Sequence, residues 1–140
     1  MRKVPSWDQY FMKIAQAVAL RSKDPSSQVG SLIVDETKHV VGMGYNGMPP
    51  GFVETAELWE RPTKYEFVIH SEINALANSH KSPRGCSLFT TMFPCAECSK
   101  SIAASGIKRV VYLDGKYENS TAREIFKQTG TELIQLIEEN

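Results

Sequence analysis

A chain that carries His70-Ser71-Glu72 and, further along, Pro94-Cys95-Ala96-Glu97-Cys98 must fold so that two distant segments meet at one point. Together they offer one imidazole, two thiolates and a carboxylate that is not needed as a ligand. Three protein ligands, His70, Cys95 and Cys98, leave the fourth tetrahedral position of a zinc ion open, the arrangement that separates catalytic zinc from a closed structural site. Zinc in such a site makes water a nucleophile near neutral pH, and Glu72 is placed to act as general acid and base.

Local sequence suits this chemistry. Pro94 fits the first position of a helix, which sets Cys95 and Cys98 one turn apart on one face, over the helix N-terminus. There the unpaired amides and the helix dipole favour thiolate over thiol. His70 and Glu72 would diverge in mid-helix, but at the first turn of a helix entered from an extended segment both can face the same ion. A redox pair or half of a structural zinc site would account for Cys95 and Cys98 alone, yet neither needs a His-x-Glu upstream. The remaining soft donors are Cys86, which opens an apolar run to Phe89 and reads as a small buried residue, and His39 and His80, which fall in polar turns.

The 140 residues are enough for one domain, 1–140, with a sizeable core. No apolar run is long enough to span a membrane and no signal peptide is evident, so a soluble, cytoplasmic protein is expected. Sixteen basic and sixteen acidic residues cancel, and no basic stripe appears, which argues against a polynucleotide partner. Three cysteines, two committed to metal, do not make an oxidised scaffold.

Ser6 with Gln9 reads as a capping box opening a helix to about Arg21, with Tyr10, Phe11, Ile14, Ala17 and Val18 as its apolar stripe. Ser22 to Gln28 is a polar connection. Val29–Val34 and His39–Tyr45 form a hairpin about Asp35–Lys38. Asn46 to Glu66, with Gly47, Pro49, Pro50 and Gly51, is a long connection of the kind that serves as a lid or binding loop. A helix over 70–79, a strand over 87–91, a helix over 95–105, a strand over 109–113, a helix from Ser120 or Thr121 to Gln128 and a strand over 132–137 complete the chain. This order predicts an α/β fold: a three-layer α-β-α arrangement, with a five-stranded mixed sheet, helices on both faces and parallel strands joined by right-handed crossovers. Both metal motifs then fall at helix N-termini beyond strand ends, where open α/β sheets place ligands.

The pairing of His-x-Glu with Pro-Cys-x-x-Cys is the signature of the zinc-dependent nucleobase deaminases. With Ser22-Lys23-Asp24-Pro25-Ser26-Ser27-Gln28-Val29-Gly30, Gly42-Met43-Gly44-Tyr45-Asn46-Gly47-Met48-Pro49, Lys64-Tyr65 and Ser105-Gly106-Ile107, nearly the whole chain resembles the deoxycytidylate branch of the cytidine deaminase-like superfamily. The resemblance implies hydrolysis of dCMP to dUMP and ammonia, supplying dUMP for dTMP synthesis. It also implies a homo-oligomer, commonly a hexamer, activated by dCTP and inhibited by dTTP, each with Mg²⁺. It puts zinc on His70, Cys95 and Cys98, the proton shuttle on Glu72 and a sugar contact on Asn46. The shuttle would take a proton from water, protonate N3 of the pyrimidine and later the departing ammonia.

Candidates for the 5′-phosphate are Asn78 and Lys81 at the end of the motif helix, and Lys116 and Tyr117 after the fourth strand. An effector site would draw on Ser22, Lys23, Asp24, Gln28, Asn46 and Gly47. Asn74 is expected to tie its helix to a nearby loop. Many family members place a cysteine after the glycine of the Asn-Gly loop, whereas Gly51 is followed here by Phe52, Val53 and Glu54, which argues for one zinc per chain. Ser71 stands where the family usually has alanine, a change expected to leave Glu72 undisturbed. Deamination of another substrate (cytidine, dCTP, guanine or a polynucleotide) and a non-enzymatic zinc protein that senses nucleotides are the competing readings. The retained Glu72 opposes the second.

Overall fold

The computed structural model describes residues 1–139. Helix α1 (Trp7–Ala19) opens as expected, with the Gln9 amide donating to Ser6 Oγ at 3.2 Å. The Gln9 side chain does not reach back to complete a capping box; it donates to the Ile137 carbonyl at 2.7 Å. The buried stripe is also rotated from the predicted one: Phe11, Met12, Ala15, Val18 and Ala19 face inward, while Tyr10 and Ala17 are exposed.

Strands β1 (Gly30–Val34) and β2 (Val40–Tyr45) form the hairpin, followed after the long connection by α2 (Lys64–Phe67) and α3 (Ser71–Ala77). Then come β3 (Ser87–Met92), α4 (Ala96–Ala104), β4 (Arg109–Asp114), α5 (Ser120–Thr129) and β5 (Glu132–Gln135). The sheet order is β2-β1-β3-β4-β5, with β1 antiparallel to both neighbours and β3, β4 and β5 mutually parallel. This is the mixed five-stranded sheet expected.

Period-two alternation sorts the strands onto two cores. Leu32, Val34, Phe89 and Val111 pack on Phe11, Met12 and Ala15 of α1. On the other face Ile33, Leu88, Val110 and Tyr112 meet α3, α4 and α5 through Ala75, Ile102 and Phe126. The crossovers α4 and α5 share this face because β4 and β5 are added in one direction, and a crossover of constant hand then always lands on the same side.

Helix α3 lies directly on β2 because that strand has glycine where the two backbones touch. A Cβ on Gly44 would stand 2.4 Å from the Ala75 nitrogen, and one on Gly42 2.6 Å from the Ala75 oxygen. Asn74 donates to the Tyr45 carbonyl at 2.8 Å and Asn78 to the Met43 carbonyl at 3.2 Å. Two side chains one turn apart thus stitch α3 to the outer edge of the sheet, with its N-terminus held beside the ends of β1 and β3.

The 46–66 connection is less featureless than the sequence suggests. It contains a 3₁₀ turn at Glu57–Trp59, pairs Gly47 with Ile69, and buries Trp59, whose indole nitrogen donates to Glu54 at 3.1 Å.

Candidate active site

His70 is the N-cap of α3, with extended backbone (φ −67°, ψ 153°), so its ring projects back toward the end of the sheet while Glu72 sits in the first helical turn. Cys95 is the N-cap of α4, and its Sγ accepts from the Cys98 amide at 3.4 Å. Pro94 therefore precedes the cap and does not occupy the first helical position: the Cys95 sulfur satisfies a terminal amide that would otherwise be unpaired. The Pro94 carbonyl accepts from Asn119 Nδ2 at 3.2 Å.

Two helix N-termini converge, and His70 Nδ1 stands 3.2 Å from Cys98 Sγ and 3.5 Å from Cys95 Sγ. A tetrahedral site with Zn–S near 2.3 Å and Zn–N near 2.0–2.1 Å has N···S edges of about 3.5 Å. The donor set fits zinc in chemistry and spacing, and it is the group of this kind found among the described residues.

The thiols are polarised toward this use. Cys95 is pulled down to about 4, first by the hydrogen bond from the Cys98 thiol and then by His70 and the Cys98 amide. Cys98 is pushed up by sharing that bond and by burial, and His70 is raised chiefly by its hydrogen bond with Cys95. A metal ion entering the site displaces the shared protons. Cys86 is buried, and burial pushes its thiol up; it is the inert apolar residue expected.

Glu72 is 4 % exposed and is not left alone. Ser71 Oγ donates to Glu72 Oε1 at 2.5 Å, and Ser31 Oγ lies 2.8 Å from Ser71 Oγ and 3.4 Å from Glu72 Oε1. Ser71 was expected to be neutral to Glu72. Instead its hydroxyl, with that of Ser31 on β1, holds Oε1, and among the described residues no hydroxyl or amide holds Oε2.

His70, Ser71, Glu72 and Cys95 line a pocket of about 510 Å³, with Asn46, Val29, Phe93 and Val68 among its walls and Arg61 and Tyr117 also lining it. Asn46 is 7 % exposed, and its side chain is largely engaged by protein. Its Oδ1 accepts from the Val29 amide at 2.8 Å, while Nδ2 donates to the Ser27 carbonyl at 2.9 Å and to Asp24 Oδ2 at 3.4 Å. One lone pair of Oδ1 remains for a ligand hydroxyl.

Asp24 is also the partner of Lys64, both nearly fully buried, with Nζ 3.1 and 3.0 Å from the two carboxylate oxygens. The Ser26 and Ser27 amides donate to the same carboxylate. Burial would raise the Asp24 carboxyl, but the Ser26 amide, the Lys64 ammonium and the Ser27 amide outweigh it and hold the group below its usual range. This clasp joins the 22–28 loop, the end of β2 and α2, which leads into His70.

The expected phosphate residues separate. Tyr117 lines the pocket, and the Lys116 ammonium sits over its ring, 5.4 Å from the centroid. Asn78 and Lys81 do not line it. Eight residues of helix at 1.5 Å each carry Asn78 about 12 Å from His70, where it binds β2, and Lys81 pairs with Asp35 of the hairpin turn at 2.6 Å. Among the expected effector residues, Ser22 donates to the Asn46 carbonyl at 2.8 Å and Gln28 to the Asp24 carbonyl at 2.5 Å, Lys23 pairs with Glu54 at 2.8 Å on the surface, and Gly47 pairs with Ile69. Arg61, Lys64 and Ser31 went unassigned in the sequence; Lys64-Tyr65 was visible only as part of a resemblance with no role attached.

An open three-ligand metal centre with a buried carboxylate beside it, at the helix N-termini of a mixed α/β sheet, defines a zinc-type hydrolytic centre. Residues 5–114 match the family described as the cytidine and deoxycytidylate deaminase zinc-binding region, and the chain belongs to that family. It is 44 % identical over 135 residues to deoxycytidylate deaminase of Mus musculus, covering 89 % of this chain and 76 % of the mouse protein. It is 42 % identical over 142 residues to the Homo sapiens deoxycytidylate deaminase, covering 94 % and 80 %. The crystal structure of dCMP deaminase from cyanophage S-TIM5 in complex with dCMP and dUMP superposes with a TM-score of 0.80 at 32 % identity, over 96 % of this chain and 100 % of that one. Among the described residues, no helix is long and apolar enough to cross a membrane.

Proposed function

We propose that this chain hydrolyses dCMP to dUMP and ammonia. The observation that carries the reading is Glu72, buried in the pocket beside the His70, Cys95 and Cys98 donors, with Oε1 fixed by Ser71 and no hydroxyl or amide among the described residues holding Oε2. A purely structural metal site needs no such group. The likeness to a structure holding dCMP and dUMP supports the choice of base and of a monophosphate.

Zinc held by His70, Cys95 and Cys98 supplies the Lewis acid that makes water nucleophilic near neutral pH. The protons fall to Glu72. Its second oxygen takes one from the attacking water and delivers it to N3 of the cytosine as the C4–O bond forms. It then passes the second to the exocyclic nitrogen, so that the C4–N4 bond breaks and ammonia leaves. Burial keeps the carboxylate away from bulk water through both transfers, and positioned groups of this kind contribute on the order of 10²–10⁴ in rate.

Regulation by dCTP and dTTP with Mg²⁺, in a homohexamer, is the finer part of the proposal. Its support is that the 22–28 loop touches the pocket wall through Ser22 and Asp24, so a triphosphate that draws Lys23 away from Glu54 acts on a segment in contact with Asn46. The cysteine ligands function reduced, which supports a cytoplasmic location. The test is ammonia release from dCMP, with and without each triphosphate. Turnover with sigmoidal dCMP dependence, relieved by dCTP, deepened by dTTP and desensitised in Lys23→Ala, is expected. No turnover of any cytosine nucleotide by zinc-loaded protein refutes the enzymatic reading, and hyperbolic kinetics indifferent to both effectors refutes the regulatory one.

A further inference from the structure

The pocket is graded from a dry end to a wet one. Glu72 and Asn46 are 4 % and 7 % exposed, whereas Tyr65 and Tyr117 are 59 % and 49 % exposed, and Arg61 is exposed with them. A cytosine that reaches Glu72 therefore turns its sugar and 5′ substituent toward Arg61, Tyr65 and Tyr117. A phosphate monoester there needs a cation that is not already neutralised.

The lining offers two cations, Arg61 and Lys64. Lys64 is spent on Asp24, which takes it with both carboxylate oxygens. Of the cations expected elsewhere, Lys81 pairs with Asp35 and Lys23 with Glu54, and Lys116 lies over the Tyr117 ring without itself lining the pocket. Arg61 has no hydrogen-bond or ion-pair partner among the described residues, although it sits between buried Trp59 and Lys64 in a segment well supplied with carboxylates. A planar guanidinium with free N–H donors at the open end of a pocket is the group that matches a phosphate oxygen pair, and adjacent tyrosine hydroxyls supply further donors.

We infer that Arg61 is the specificity-determining residue that holds the 5′-phosphate of the substrate, flanked by Tyr65 and Tyr117. The assignment rests on the deaminase reading above and deepens it. Arg61 lies outside the sequence runs that carry the resemblance, so it follows from its place and its unpaired charge. It displaces Asn78 and Lys81 from the role.

The experiment compares kcat/KM for dCMP and for deoxycytidine in the zinc-loaded wild type, Arg61→Ala and Arg61→Lys. Loss of a charge-assisted contact predicts that Arg61→Ala loses about 10–100-fold toward dCMP, chiefly in KM. Deoxycytidine, which has no phosphate, should be turned over as before. Arg61→Lys should recover part of the dCMP preference, since it restores charge without the planar fork. Raising salt should weaken dCMP binding to the wild type more than to Arg61→Ala. Equal losses toward both substrates, or unchanged dCMP kinetics, overturns the assignment while leaving the deaminase intact. A wild type inactive on both substrates overturns the deaminase reading instead.

Discussion

Replacing Lys64 by methionine strips the buried Asp24 carboxylate of its counter-charge. Removing one partner of a buried ion pair costs about 3–5 kcal/mol, because the remaining charge keeps its desolvation penalty without its compensation. Here the lower end applies, since the carboxylate still accepts from the Ser26 and Ser27 amides and lies within reach of Asn46 Nδ2. At roughly 3 °C per kcal/mol for a chain of this size, Lys64→Met should melt about 10 °C below the wild type. The double replacement Asp24→Leu/Lys64→Met removes both charges and should recover most of that stability, as apolar substitutes for buried pairs commonly do. Function should not follow stability back. Without Asp24, Asn46 Nδ2 and the 22–28 loop lose their common anchor, so the double variant should melt near the wild type yet show a raised KM for dCMP with kcat little changed.

The pH dependence separates the variants further. The folded carboxyl of Asp24 is held below its usual value of about 3.9, so its contribution is fully present above that value and lost as pH falls toward the folded one. The wild type should therefore lose more stability on acidification below about pH 4 than the double variant, measured by thermal unfolding of both proteins in the same metal-free state. A double variant as unstable as Lys64→Met, or one with unchanged KM, would refute the clasp.

Two further outcomes follow from the same geometry. Metal analysis should find one zinc per chain, and Cys95→Ser or His70→Ala should lose both metal and thermal stability, because ligand binding is coupled to folding; full zinc content in either variant contradicts the ligand set. Lys81→Ala should leave the preference for dCMP over deoxycytidine intact, since its ammonium is committed to Asp35; a lost preference in the kinetics would return it to the phosphate.

The metal donors were legible because residue type and spacing together encode them: Cys95 and Cys98 can face one ion only across a helical turn, and an extended entry into α3 lets His70 join them. The succession of helices and strands along the chain followed from periodicity, caps and turn residues, whereas the order of the strands within the sheet came only with the structure. The Lys64–Asp24 clasp was invisible because a contact between segments so far apart in sequence leaves no periodic trace. Asn78 and Lys81 misled because sequence proximity to a motif says nothing of distance: α3 runs away from the metal, and its end serves β2 and the hairpin turn. Ser71 misled in the opposite sense. One oxygen added to a small side chain looks neutral in the sequence, yet at the base of α3 it lies against Glu72 and completes a hydroxyl relay to Ser31.

The claim at the centre of this account is that Glu72 carries the protons and is not a ligand. Ammonia release from dCMP by wild type and Glu72→Gln, with zinc and nucleotide binding measured on the same samples, tests it most directly. Equal zinc and similar dCMP affinity, with turnover lower by a hundredfold or more in the glutamine variant, is the predicted result. Near-normal turnover, or loss of zinc along with activity, would contradict it.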